Sequence, residues 1–325
     1  MRRVDGPRAR PNRAAAGAAP QPRGFALLAV LLVMAVVGVL GAEFAYSMRL
    51  EASAVRAYRD TLVAAHLAEA GVEQAVREML GAGAFVTVAE DGDLTFFTNE
   101  GLPVRRLPRR EVPLGAGQFS YRLTDEEARI NLNTAPPARV DLLLRSFKLD
   151  KRERDVVVDS LQDWRDPNEE HRLNGAESED HYMKRDTPHL SKNGNLDSVG
   201  ELAQIRGVTP ALLRGGDGTP GLVDAVTVKT PGQVNINTMG PQVARALGLS
   251  DAEFTLIAQA RRRAPFTSVP GQFGGRGLTA ATRTFRVEAE GLVAGQVRAR
   301  LTAIVQRRTG TGGDGIAVLE WSGAR

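Results

Sequence analysis

Residues 24–46 read GFALLAVLLVMAVVGVLGAEFAY, and from Gly24 to Ala42 no side chain carries a charge. Nineteen such residues make roughly 28 Å of helix, close to one hydrocarbon thickness. This stretch predicts a membrane-embedded N-terminal helix in a chain whose average composition is that of a globular protein. It is too long for the apolar core of a secretory signal peptide, and Gly41 and Ala42 offer a poor small-residue cleavage site.

Working outward, the preceding leader carries six Arg (Arg2, Arg3, Arg8, Arg10, Arg13, Arg23) against Asp5, a balance of +5 in a chain whose net charge is +4. The remaining residues are therefore near neutral. The basic character belongs to the leader, where it keeps the N-terminus cytoplasmic and sends the rest outward. A nucleic-acid binder would carry a basic face on its folded part. There is no cysteine, which excludes catalytic thiols, disulfides and Cys-ligated metals.

On the C-terminal side, no Pro and a single Gly, Gly71, occur between Glu43 and Leu80. Leu50, Ala54, Ala57, Tyr58, Leu62, Ala65, Leu67, Val72, Val76 and Met79 recur at helical spacing. One helix over 25–80 is expected, about 84 Å long, apolar all round in its membrane part (25–44) and amphipathic beyond.

The body divides into flanks and an insert. AFVTVA (84–89), LTFFT (94–98) and QFSYRL (118–123) read as strands. TFRVEAEGLVAGQVRARLTAIVQRR reads as two strands turning near Gly291–Gly295, and IAVLEW as a third. Between them, 126–280 reads as helices and turns. The fold class expected is α+β: a long N-terminal helix packed on one antiparallel sheet (81–125 and 281–325), with a large mainly α-helical insert (126–280). The insert echoes itself. ARINLNTAPPARVDLLL (128–144) is matched by GQVNINTMGPQVARAL (232–247), and in each an Asn or Thr (Asn133 or Thr134, Asn237 or Thr238) is placed to cap the following helix. LDSVGELAQIRGVTPALL (196–213) has the cadence of helix, tight turn and helix. These pieces resemble helix-hairpin-helix and SAM-like units.

The junction Arg23-Gly24-Phe25 resembles the processing site of type IV pilins and pseudopilins, and AHLAEAGVEQAVREML (65–80) resembles their helix continuation. With the INLNTA and VNINTM phrases in order, the chain resembles the protein K family of type II secretion minor pseudopilins over nearly its whole length. Two departures from the wider pilin pattern are a long leader and Ala29, which stands where most pilins have Glu; the missing Glu is itself a trait of protein K. The resemblance implies that prepilin peptidase removes residues 1–24 and methylates Phe25, leaving a single-pass inner-membrane protein with a periplasmic head. It also implies assembly with the type I, J and H minor pseudopilins, the major pseudopilin and the inner-membrane platform. The expected work is capping the pseudopilus tip and starting its assembly for export across the outer membrane, with no enzyme activity and no nucleic acid. The readings from other classes are a membrane-anchored helix-hairpin-helix DNA receptor, a type IV minor pilin and an ordinary signal-anchored protein.

One segment concentrates metal-type ligands: DWRDPNEEHRLNGAESEDHY (163–182). Its hard oxygens suit calcium, and the acidic loop of protein K implies the same. The candidate ligands are Asp163, Asp166, Asn168, Glu169, Glu170, Glu177 and Asp180, with Pro167 and Gly175 letting the loop fold back. The alternatives are zinc through His171, His181 and His189, or a plain solvated loop. GTGGDG (310–315) matches G-x-G-x-x-G in letters only, because it precedes a strand rather than opening a helix.

Overall fold

The computed structural model describes residues 23–216, 218–308 and 315–323. The leader before Arg23 and positions 310–314 of the glycine-rich loop lie outside the described residues. Helix α1 covers Arg23–Leu80. Every side chain from Phe25 to Tyr58 is exposed, and an 18-residue window of this segment reaches a mean hydropathy of 2.8. By length and composition it can cross a membrane.

Residues from Arg59 onward form a second compact unit. Here α1 turns amphipathic, with Ala64, Leu67, Ala68, Gly71, Val72, Ala75 and Met79 buried in one stripe. After it come β1 (Phe85–Val88) and β2 (Leu94–Phe97), then β3 (Val112–Leu114) and β4 (Gly117–Asp125). At the other end of the chain lie β11 (Thr284–Val293), β12 (Gln296–Arg308) and β13 (Gly315–Gly323). The main sheet has the order β13-β12-β11-β4-β3, antiparallel throughout, so the two flanks of the sequence meet where β4 pairs with β11. One expectation is corrected. β1 and β2 form their own two-stranded hairpin and take no place in the main sheet, although Val86, Leu94 and Phe96 join its core with α1.

Small residues bring helix and sheet together. Gly291 lies beneath the α1 backbone, where an added Cβ would overlap the Ala64 carbonyl. A buried ion pair fixes the end of the helix. Arg109 donates to both Glu78 oxygens, at 2.7 and 3.0 Å, and Tyr121 donates its hydroxyl to the same carboxylate at 2.9 Å. Both charges are almost wholly buried, so this bidentate pair sets register more than it adds net stability.

The insert contains β5 (Ile130–Asn131), α2 (Pro137–Arg145), α3 (Lys151–Arg165), α4 (Pro210–Arg214), β6 (Gly215–Gly216), β7 (Thr219–Pro220), α5 (Leu222–Ala225), β8 (Val226–Thr227), β9 (Val234–Asn235), α6 (Pro241–Ala246), α7 (Asp251–Arg263) and β10 (Leu278–Thr279). It has its own hydrophobic core. The sequence echo is a structural repeat. Asn133 brackets the backbone of Leu196, donating to its carbonyl and accepting its N–H, both at 2.9 Å. Asn237 does the same to Phe266, at 2.9 and 2.8 Å. Arg165 near the end of α3 donates to the Leu132 carbonyl, and Arg261 near the end of α7 to the Ile236 carbonyl. The expected Asn or Thr caps are therefore corrected. Pro136 and Gly240 occupy the N-cap positions without side-chain bonds, because the Asn amides are spent on the loop opposite and Pro137 and Pro241 preset the first helical turn.

Candidate functional site

Helix α3 starts from a reciprocal cap between Asp150 and Glu153 and carries Asp159 and Asp163 one turn apart. The chain beyond it doubles back over these two carboxylates. Asn174 donates its backbone and side-chain N–H groups to Asp159 Oδ2, at 3.1 and 3.0 Å. The Arg172 backbone N–H lies 3.1 Å from Asp163 Oδ2. Gly175 packs so closely on Asp163 that any Cβ there would overlap the carboxylate. Arg206 closes the fold by donating to the Gly175 carbonyl at 2.8 Å.

The candidate ligands are held in different ways. Asp163, fully buried, and Asp166 share one cation: Arg172 Nη1 is 2.6 Å from Asp163 Oδ1 and 2.5 Å from Asp166 Oδ2. Asn168 donates to Asp166 at 2.8 Å. Glu169 accepts from Asn193 at 2.7 Å and from the Ser178 hydroxyl at 3.2 Å. Glu177 is different, because it is only 2% exposed and neither carboxylate oxygen has a hydrogen-bond partner. Burial, with the negative charges of Glu169, Asp163 and Asp166, pushes its pKa up to about 7. Ser191 pulls the other way, although its hydroxyl bonds run to Ser178 and Asn193. Asp180 accepts the Glu177 backbone N–H at 2.8 Å, and Glu170 is exposed.

Nearby, Trp164 and Tyr182 pack edge to face at 5.3 Å, and both contact His189. His181 also packs against Tyr182, whereas His171 is exposed. The expected histidine set is thus split between an aromatic cluster and the surface. Among the described residues no three His, Asp or Glu side chains form a ready-made metal site. The Arg206-Gly207 turn of the helix-hairpin-helix echo faces inward, with Gly207 (φ +86°) against Val157 of α3. Arg172, Asn174, Ser178 and Asn193 escaped the sequence reading because a list of metal-type oxygens passes over the donors that hold those oxygens in place.

The architecture is a long, N-terminally apolar helix packed on an antiparallel sheet, with a helical insert. Residues 122–215 match the family model described as type II secretion system (T2SS), protein K. The chain is 29% identical over 271 residues to the type II secretion system protein K of Klebsiella pneumoniae, covering 76% of this chain and 77% of that protein. It superposes with a TM-score of 0.61, at 18% identity, on a chain from the crystal structure of the GspK-GspI-GspJ complex of the enterotoxigenic Escherichia coli type 2 secretion system. That superposition covers 86% of this chain and 99% of the other, and at this identity it speaks for the fold. Together the matches make the chain similar to type II secretion system protein K, by a family model over residues 122–215 and by a relative over three quarters of its length.

Proposed function

We propose that this chain is a minor pseudopilin that caps the pseudopilus tip and initiates its assembly. The observation that carries the reading is the uninterrupted exposure of apolar side chains from Phe25 to Tyr58 in a chain whose head is otherwise well packed. Such a surface needs lipid on one stretch and sister helices on the next. In this reading prepilin peptidase cuts after Gly24, the head is periplasmic, and the helix bundles with the type I, J and H minor pseudopilins. We assign the chain no catalytic step. Ala29 fits the tip position. A carboxylate there would neutralise the N-terminal amine of a subunit ahead, and a subunit with nothing ahead would leave it bare in lipid.

The test is secretion by a strain lacking the chain. Pseudopili and secretion are expected to stop, to be restored by the wild-type chain, and to be restored no better by Ala29→Glu. A strain that still assembles pseudopili would refute initiation. Better secretion with Ala29→Glu would refute the vacant-neighbour explanation.

Calcium belongs to the same proposal. The donor set is hard oxygen throughout, and the orphaned, buried Glu177 carboxylate lacks the positive partner that a carboxylate there requires. The candidate ligands are Asp163, Asp166, Asn168, Glu169, Glu170, Glu177 and Asp180, and to hold the ion they would have to draw together and release Arg172, since no three of the described acids or histidines converge as they stand. The ion would neutralise converging charge and fasten the loop to α3. Millimolar Ca²⁺ is expected to raise the melting temperature of the full chain in detergent by several degrees, and EDTA to reverse the rise. An unchanged melting temperature would refute calcium binding.

A further inference from the structure

The face of the main sheet that carries α1 is wider than α1. Direct cross-strand partners share a face. Trp321 of β13 stands opposite Ala303, and Val318 opposite Val305, and both β12 residues are wholly buried in the core beneath α1. Trp321 and Val318 therefore lie on the α1 side of the sheet, yet they are 40% and 56% exposed. The seat of the helix explains this. α1 packs most closely on β11, where Ala64 meets Gly291 and Gly71 meets Ala289. β13 is two strands further on, roughly 10 Å at the ordinary strand spacing. Two helices packed side by side have nearly the same separation, roughly 8–10 Å. A second helix laid against α1 would rest on β13.

The flank of α1 that such a helix would meet follows from its period. Glu78 is bonded to Arg109, before the β3 edge of the sheet, and Met79 points into the core. Leu80, about 200° round from Glu78, lies on the flank toward β13. Leu62, about five turns earlier, shares that flank, and both leucines are exposed. Glu69 and Glu73 lie between them, exposed and one turn apart. Glu69 takes His66 at 2.9 Å, and Glu73 has no ion-pair partner among the described residues. Strand and helix thus make a shelf with an apolar floor and a wall that is apolar at both ends and acidic in the middle.

We propose that this shelf seats the amphipathic N-terminal helix of a sister pseudopilin, packed beside α1 with Trp321 and Val318 beneath it. Charge complementarity selects a helix whose apolar stripe has a basic margin to set against Glu69 and Glu73. A helix of the same make as α1 meets that requirement, since the exposed reach of α1 carries Arg49, Arg56 and Arg59 among Leu50, Val55 and Tyr58. This rests on the minor-pseudopilin reading above, in which a single copy caps the tip, so the neighbour is a different subunit.

The test is photo-cross-linking of the full chain in the membranes of its own cells, with benzoylphenylalanine in place of Trp321 and, as control, in place of the exposed Leu256 of α7. Mass spectrometry of the cross-linked peptides is expected to find the N-terminal helix of another pseudopilin from position 321 and not from position 256. Trp321→Glu and Val318→Glu are each expected to cut secretion about tenfold or more, because the seated helix would bury an unpaired carboxylate. Their melting temperatures in detergent should match wild type, as for exposed sites, and Trp321→Phe should secrete normally. If Trp321→Glu melts low, Val318→Glu and the cross-link carry the test. Cross-links to a second copy of this chain, to the head of another protein, or none above the control would overturn the seat. So would full secretion by both Glu variants where loss of the whole chain stops secretion. Pseudopili assembled without the chain would overturn the pseudopilin reading and the seat with it.

Discussion

Asp125→Ala is expected to lower the stability of the folded head by about 4 kcal/mol, one of the largest losses available to a single substitution here. Asp125 is the last residue of β4 and is fully buried. Its carboxylate accepts from Asn235 at 2.8 Å, Thr238 at 2.6 Å, Thr282 at 2.7 Å and the Glu127 N–H at 2.8 Å. Two of these donors belong to the second repeat of the insert, and Thr282 lies just before β11. The adjoining acids continue the fastening. Glu126, also buried, takes Arg129 at 2.6 Å and Arg286 of β11 at 3.0 Å, and Glu127 takes the Thr284 hydroxyl at 2.9 Å. Alanine would leave four buried donors unpaired at the joint between sheet and insert. Asp125→Asn should lose less, because the Thr238 and Thr282 hydroxyls can turn to accept, whereas the Asn235 amide cannot. Urea unfolding of the full chain in detergent measures both variants. A loss under about 1 kcal/mol for the alanine variant would show that the insert is held by its apolar contacts instead.

This joint shows where the sequence is readable and where it is silent. The end of β4 at Asp125 could be placed closely because periodicity changes there, and periodicity is a local property. The long helix, the strands β4, β11 and β12, and the repeated Asn-Thr phrases are legible for the same reason. What Asp125, Glu126 and Glu127 do is not local. Their partners lie as far as 160 residues away, so a run of three acids carries no sign of burial. The separation of β1 and β2 into their own hairpin is equally hidden, since strand composition says nothing of which neighbour a strand takes. The acidic loop was legible as a cluster of hard oxygens. That one of them would be buried without a partner, and two others already bridged by Arg172, depends on how tightly the loop closes over α3, which Gly175 permits.

The joint also bears on the proposed assembly. If α1 is the element that bundles with sister subunits, the head follows its helix only as firmly as the sheet grips residues 64–79. Ala64, Ala68, Gly71 and Ala75 make that grip close, and the buried Glu78–Arg109 pair ends it. A helix held by long side chains could slide by a turn. One held by small residues has few alternative seats, because closely approaching backbones interlock.

Gly291→Ala tests that grip directly and is expected to destabilise the head by about 3 kcal/mol, although it adds a single methyl group. The added carbon would overlap the carbonyl oxygen, carbonyl carbon and Cα of Ala64, all backbone atoms that no rotamer change can move aside. Relief requires α1 to lift from the sheet, which uncovers Leu67, Ala68 and Val72 together, or β11 to shift at the register break between Gly291 and Leu292. Either response spreads beyond the mutated site. Gly315→Ala is the matched control, because its added Cβ meets open space, and it should change stability by no more than about 0.5 kcal/mol. Denaturant unfolding of both variants in detergent, beside wild type, separates the two cases. Equal stability of Gly291→Ala and Gly315→Ala would mean that α1 rides loosely on the sheet. A firm transfer of position from helix bundle to head would then need another source.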